Sequence, residues 1–291
     1  MKKDVSKTLT SFLLYLYLPT LVILIGNYVF KLHFDSSNLE QLAWLNIIFD
    51  IFYFVFFIIY SIDIFKEYKV LEGKDSNEKT GYFISSLVKA TVGFFVVKIL
   101  GAFIVGIIST SLGIDATSAN QAALEEIINV SPLWMLITSV ICAPVVEELL
   151  FRGAIKRIIK NKRVFVIVSG LSFGLVHVLK YNVAVILILV TGLLIDKIYE
   201  SELKKNKKVK LSILTFVVMF VVYLLSLQFI TGNLLMAITS IEISELISGV
   251  LYVSVGLFLA YIFQKYNNIY LNIGTHMINN LFSYIIIYLI G

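Results

Sequence analysis

Nine apolar runs dominate the chain, at roughly 11–30, 42–65, 90–112, 132–155, 164–179, 182–199, 211–231, 245–264 and 270–290. Most have the ~17–25 residues that a helix needs to cross ~30 Å of hydrocarbon. Lipid offers no hydrogen bonds to a backbone, so such runs must close their own bonds as helices. The composition agrees: 59% of the residues are apolar and only 15% are charged, against about 45–50% and about 25% in soluble domains. A water-soluble globule is excluded, because it could not hide that much apolar surface. Three Pro and 16 Gly exclude a low-complexity or collagen-like chain. The expected fold class is all-α, a polytopic transmembrane bundle of about nine (eight to nine) spans.

The basic residues orient the bundle. Nineteen of the Lys and Arg fall in alternate non-membrane segments, beginning with the N-terminal one, and two in the segments between them. The positive-inside rule then places the N-terminus in the cytoplasm and the C-terminus outside, in a multi-pass protein of the cell (plasma) membrane. The start at Met1-Lys2-Lys3 resembles a signal peptide, but its long apolar run reads as an uncleaved anchor. A net charge of +5 is too small to argue for nucleic acid. The single Cys142 excludes an intrachain disulfide and a thiolate zinc cluster. The segment 113–131 has no basic residue and contains a short Ala-Ala-Leu-Glu-Glu run, which reads as an external helix.

Ionisable residues inside spans are costly and point to function. The fourth span carries Pro144, then Glu147, Glu148, Arg152 and Gly153. Glu148 and Arg152 are i,i+4 and can pair. Glu147 lies about 100° round the helix and is left for another task. Pro144 lacks an N–H and should kink the helix just before the carboxylates. The fifth span carries Gly170, Phe173, Gly174 and His177. Gly170 and Gly174 form a small-xxx-small pair that lets another helix approach closely. The ninth carries His276 and Asn280, again i,i+4. Measured from the cytoplasmic turns, Glu147, His177 and Asn280 each stand 13 residues into the membrane and His276 stands nine. At 1.5 Å per residue that is about 14–20 Å, one layer near the midplane. Packing would explain any one of these residues, but gives no reason for a shared depth. Asp50 and Lys98, in the second and third spans, read as a structural pair rather than a transport site.

Two carboxylates, two histidines and an Asn suit hydrolysis by activated water. A carboxylate or imidazole takes the proton, and an amide or imidazole N–H stabilises the oxyanion. No Ser or Cys is placed as an obvious nucleophile: Ser172 lies off the His177 face, and Cys142 is five residues before Glu147. Glu147, His177 and His276 would also make an acceptable zinc set, although no His-Glu-x-x-His motif is present.

These segments resemble the CPBP family, which comprises the type 2 CAAX prenyl proteases and the bacteriocin-processing and immunity membrane proteins. The family pattern is Glu-Glu-x-x-x-Arg, then Phe-x-x-x-His, then His-x-x-x-Asn. Here these are Glu147-Glu148-x-x-x-Arg152, Phe173-x-x-x-His177 and His276-x-x-x-Asn280. The resemblance implies an intramembrane endopeptidase acting on a peptide or membrane-protein substrate in the lipid bilayer. Glu147 with His177 would activate water, His276 and Asn280 would hold the oxyanion, and Glu148 with Arg152 would orient the site. Metal-free catalysis is expected, because the sequence offers carboxylates and an oxyanion hole without a recognised zinc motif, with zinc as the alternative cofactor. Residues 130–291 would form the catalytic bundle and 1–129 the N-terminal helices with the external loop. The spans at 182–231 read as a pair added between the second and third motif helices. The alternative function is a non-catalytic bacteriocin-immunity or scaffold protein of the same fold.

Overall fold

The computed structural model describes residues 5–15, 39–68, 76–115, 117–178, 183–233 and 243–290. Most of the first apolar run (from residue 16 on) and His33 lie outside the described residues. Among the described residues every regular element is helical. They are α1 (residues 5–15), α2 (Leu39–Glu67), α3 (Ser76–Leu112), α4 (Ala119–Val130), α5 (Pro132–Ile158), α6 (Lys162–Val176), α7 (Val183–Glu200), α8 (Lys205–Thr231), α9 (Ile243–Tyr266) and α10 (Ile269–Ile290). Each apolar run thus coincides with a helix where it is described, and the short helix expected within 113–131 is α4. Among the described residues, four helical stretches are long and apolar enough to cross a membrane: Thr80–Leu112, Pro132–Ile158, Lys205–Thr231 and Ile243–Tyr266.

The chain divides into two compact units. One comprises Met1–Phe95, Asn120–Ala154 and Lys265–Gly291; the other comprises Val96–Ala119 and Ile155–Gln264.

In the first unit, α5 is the organising element. Ser131 caps it, its side chain accepting from the Trp134 N–H, and Pro132 occupies the first turn, where a missing N–H costs nothing. Asp50 of α2 accepts from Trp134 Nε1 at 3.0 Å and from Thr138 Oγ1 at 2.7 Å. Its partners here are thus an indole N–H and a hydroxyl of α5, and Lys98 belongs to the other unit. The turn into α10 is made by Asn267 at φ 49°, a left-handed conformation that Asn tolerates. Asn268 then caps α10 by accepting from the Leu271 N–H at 3.0 Å.

The kink expected at Pro144 takes a particular form. Residues Leu136–Cys142 and Leu149–Ala154 of α5 are π-helical, and the α-helical turn Ala143–Glu148 lies between them. The Ala143 N–H therefore reaches back five residues to the Thr138 carbonyl. In that register the next bond would run from residue 144 to the Ser139 carbonyl. Pro144 has no N–H to give, and the widened helix releases that carbonyl for another donor.

In the second unit, Asn161 caps α6 by accepting from the Arg163 and Val164 N–H groups. The wholly buried Asp196 of α7 accepts from the backbone N–H of Lys160 (3.0 Å) and Asn161 (2.7 Å). α7 is thereby tied to the turn that starts the His177 helix. A Cβ placed on Gly170 would lie 2.7 Å from Leu257 Cα, and one on Gly174 would lie 2.6 Å from the Val253 backbone. The small-xxx-small pair thus seats α6 directly on the backbone of α9. Gly174→Val is expected to lower stability by about 1–3 kcal/mol through forced separation of the helices. Gly106→Val, where a Cβ would meet nothing within 4 Å, should leave the melting temperature nearly unchanged. Thermal unfolding of both variants in detergent measures the contrast.

Candidate active site

Five of the six expected site residues, Glu147, Glu148, Arg152, His276 and Asn280, belong to the first unit, and His177 belongs to the second. Glu148 and Arg152 are both fully enclosed, with Arg152 Nε 3.1 Å from Glu148 Oε2. The i,i+4 pairing expected from the sequence is present. Glu148 Oε2 also accepts from Asn272 Nδ2 at 3.1 Å, and its Oε1 lies 3.1 Å from His276 Nδ1. A carboxylate oxygen only accepts, so His276 carries a proton on Nδ1 in this contact. Three groups from two helices thus fix both oxygens of Glu148.

Glu147 is held differently. Its Oε2 lies 3.9 Å from His276 Nε2, beyond direct hydrogen-bonding distance, and its Oε1 accepts from the Tyr15 phenol at 3.3 Å. Both contacts are longer than those of Glu148. The His276 ring therefore stands between two adjacent carboxylates of α5, with one nitrogen toward each.

Asn280 sits one turn beyond His276 on α10. Its Nδ2 donates to the Ser139 carbonyl at 2.7 Å, and its Oδ1 accepts from Asn279 Nδ2 at 2.9 Å. That carbonyl is the one released by Pro144. One N–H of Asn280 is therefore used to join α10 to α5, and its amide nitrogen carries a second.

In the second unit, His177 closes the C-terminal end of α6. Its Nδ1 lies 2.7 Å from the Phe173 carbonyl, so Nδ1 carries the proton and Nε2 is the basic nitrogen of the neutral ring. The ring stacks on Tyr252 of α9, with centroids 5.1 Å apart and planes 9° apart. The Tyr252 hydroxyl is 3.2 Å from that of Ser118. The i,i+4 relation of Phe173 and His177 thus has a direct meaning: the first residue's carbonyl fixes the second residue's tautomer. Ser172 is wholly buried.

The sequence reading missed Asn272, Tyr15, the Ser139 carbonyl and Tyr252. Asn272 had a signal, because Asn272, His276 and Asn280 recur every four residues along one face of α10. The others are contacts between segments far apart in the chain, and no local spacing marks them.

As to a metal, Glu147 and His276 are neighbours. The third candidate ligand, His177, belongs to the second unit.

Comparison with known proteins adds an independent line. A model of the type II CAAX prenyl endopeptidase Rce1-like family matches residues 129–282, just over half of the chain. All six residues named above lie inside that stretch. UPF0177 protein YvdC of Lactococcus lactis subsp. lactis is 30% identical over 128 residues, which is 42% of this chain and 48% of that relative. The chain thus spans about half the length of the curated relative it matches. No solved structure matches the chain. Apolar helices long enough to cross a bilayer, a buried Glu148–Arg152 pair and motifs in the family's order all meet in the matched stretch, and the chain belongs to the type II CAAX prenyl endopeptidase Rce1-like family.

Proposed function

We propose that this protein is an intramembrane endopeptidase that hydrolyses a peptide bond with a water activated by Glu147. The observation that carries this reading is the difference between the two adjacent carboxylates. Glu148 is locked by contacts of 3.1 Å to Arg152, Asn272 and His276, as a structural carboxylate should be. Glu147 instead meets the Tyr15 phenol at 3.3 Å and faces the His276 ring at 3.9 Å. A carboxylate beside an imidazole, without a short bond between them, is placed to exchange a proton with a water that enters there.

In the proposed reaction Glu147 takes a proton from water as the water oxygen bonds to the scissile carbonyl carbon. The same proton then passes to the leaving nitrogen as the C–N bond breaks, giving a carboxylic acid, which keeps the second proton of the water, and an amine. His177 shares the activation of water, with its basic nitrogen at Nε2. The second N–H of Asn280 serves the oxyanion, joined by the Nε2–H of His276 as an imidazolium whose Nδ1–H is held by Glu148, while Glu148 and Arg152 orient that ring from behind. The substrate is a peptide or membrane-protein segment presented in the bilayer. The site rests on nine spans with a cytoplasmic N-terminus in the plasma membrane. Residues 130–291 are the catalytic bundle, 1–129 are the N-terminal helices, and 182–231 are an added pair.

Two experiments test the reading. Peptides released by wild-type cells are compared with those of cells making Glu147→Ala at equal protein level. At least one peptide should be present only in the wild type and should name the substrate. Identical peptide sets would leave the non-catalytic scaffold reading in its place. Cleavage of that peptide by purified protein should persist after treatment with 1,10-phenanthroline. Activity abolished by the chelator and restored by zinc would overturn the metal-free mechanism.

A further inference from the structure

Thr8, Phe12 and Tyr15 lie on one face of α1, at i, i+4 and i+7. Each of them meets α5. Thr8 Oγ1 donates to the Ala154 carbonyl at 3.1 Å. Phe12 packs edge-on against Phe151, with centroids 5.4 Å apart. Tyr15 packs edge-on against the same ring at 5.8 Å, and its hydroxyl reaches Glu147 Oε1. Contacts at 154, 151 and 147 follow one another as α1 advances, so α1 runs antiparallel to α5 in a fixed register. Lys7 adds a 2.6 Å ion pair with Asp63 of α2. The N-terminal helix is thus latched at several points, and the latch ends at the carboxylate assigned to catalysis. It lies wholly outside the stretch that the family model matches.

We propose that Tyr15 is a positioning residue for Glu147, its phenol holding Oε1 so that Oε2 faces the His276 ring. This rests on the reading of Glu147 as the base. A carboxylate on a three-bond side chain can rotate, and a base displaced by 1 Å loses a large part of its rate. The phenol supplies a directed donor on Oε1, the oxygen opposite the one that approaches His276 Nε2 at 3.9 Å. The N-terminal helix then belongs to the active site and is more than a membrane anchor.

The test uses full-length protein in detergent and the synthetic peptide recovered from the wild-type against Glu147→Ala comparison. Tyr15→Phe should lower kcat roughly tenfold and leave KM within about twofold, since orientation and not binding is lost. Thr8→Val removes only the latch bond to Ala154; it should lower the melting temperature and keep kcat. The contact itself is read without activity, by a double-mutant cycle in melting temperature. The shift made by Tyr15→Phe in the wild type should vanish in a Glu147→Ala background. An unchanged kcat, or equal shifts in both backgrounds, would overturn the proposal while leaving Glu147 as the base. Full peptide release by Glu147→Ala would instead remove the base itself, and the positioning role with it.

Discussion

Arg152→Leu is expected to destabilise the protein by about 3–5 kcal/mol, the usual cost of leaving one member of a buried ion pair alone. Total stabilities are about 5–15 kcal/mol, so little folded protein should survive extraction. The reason is local. Both side chains are fully enclosed, and no water can reach Glu148 when the guanidinium is gone. Replacing both partners, as Glu148→Met with Arg152→Leu, removes the naked charge and should recover part of the loss. Recovery should stop short, because Asn272 Nδ2 and His276 Nδ1 both lose an acceptor, at about 1–3 kcal/mol for each unsatisfied group. Monodispersity and melting temperature of the three variants in detergent give the order wild type, double, single. A single variant as stable as wild type would show that the pair is not the structural centre of the site.

Much of this architecture was legible in the chain because lipid makes its rules strict. The apolar runs matched helices wherever described, and the helix at 119–130 emerged in a segment with no basic residue. The turns near 160–163 and 265–269 are set by local chemistry that a sequence displays, namely the capping residues Asn161 and Asn268. Gly170 and Gly174 announced a close helix contact, although not with which helix. The site was legible to the depth of its local pairs. Glu148 with Arg152 was read from spacing and is present. What spacing could not give was anything that depends on a distant partner or an altered helical register. Tyr15 meets a residue 132 positions away. The Ser139 carbonyl becomes an acceptor for Asn280 only because a π-helical stretch precedes Pro144, and a reading at 100° per residue contains no such stretch. Asp50 looked like half of a charge pair, yet an indole N–H and a hydroxyl satisfy it. A buried carboxylate needs donors rather than a cation, and sequence shows cations more plainly than donors.

Glu147→Gln should separate the two adjacent carboxylates by their consequences. The amide keeps an oxygen for the Tyr15 phenol and nearly the same volume, so the melting temperature should move by only a few degrees, the shift of ~1 kcal/mol or less. Turnover of the identified peptide should nevertheless fall by about 10²–10⁴-fold, because an amide cannot take a proton from water. Glu148→Gln should do the reverse in emphasis. It removes the anion 3.1 Å from the wholly buried Arg152 Nε and so costs mainly folding, with the surviving folded fraction losing activity through a displaced His276 ring. Rate and melting temperature measured on both proteins place each carboxylate on one axis. Equal losses of rate with equal stability would mean that the two share the proton, and that their different contacts do not divide the labour. A Glu147→Gln protein that turns over at the wild-type rate would move the search for the base to the His177 ring, whose bond to the Phe173 carbonyl already leaves Nε2 as its basic nitrogen.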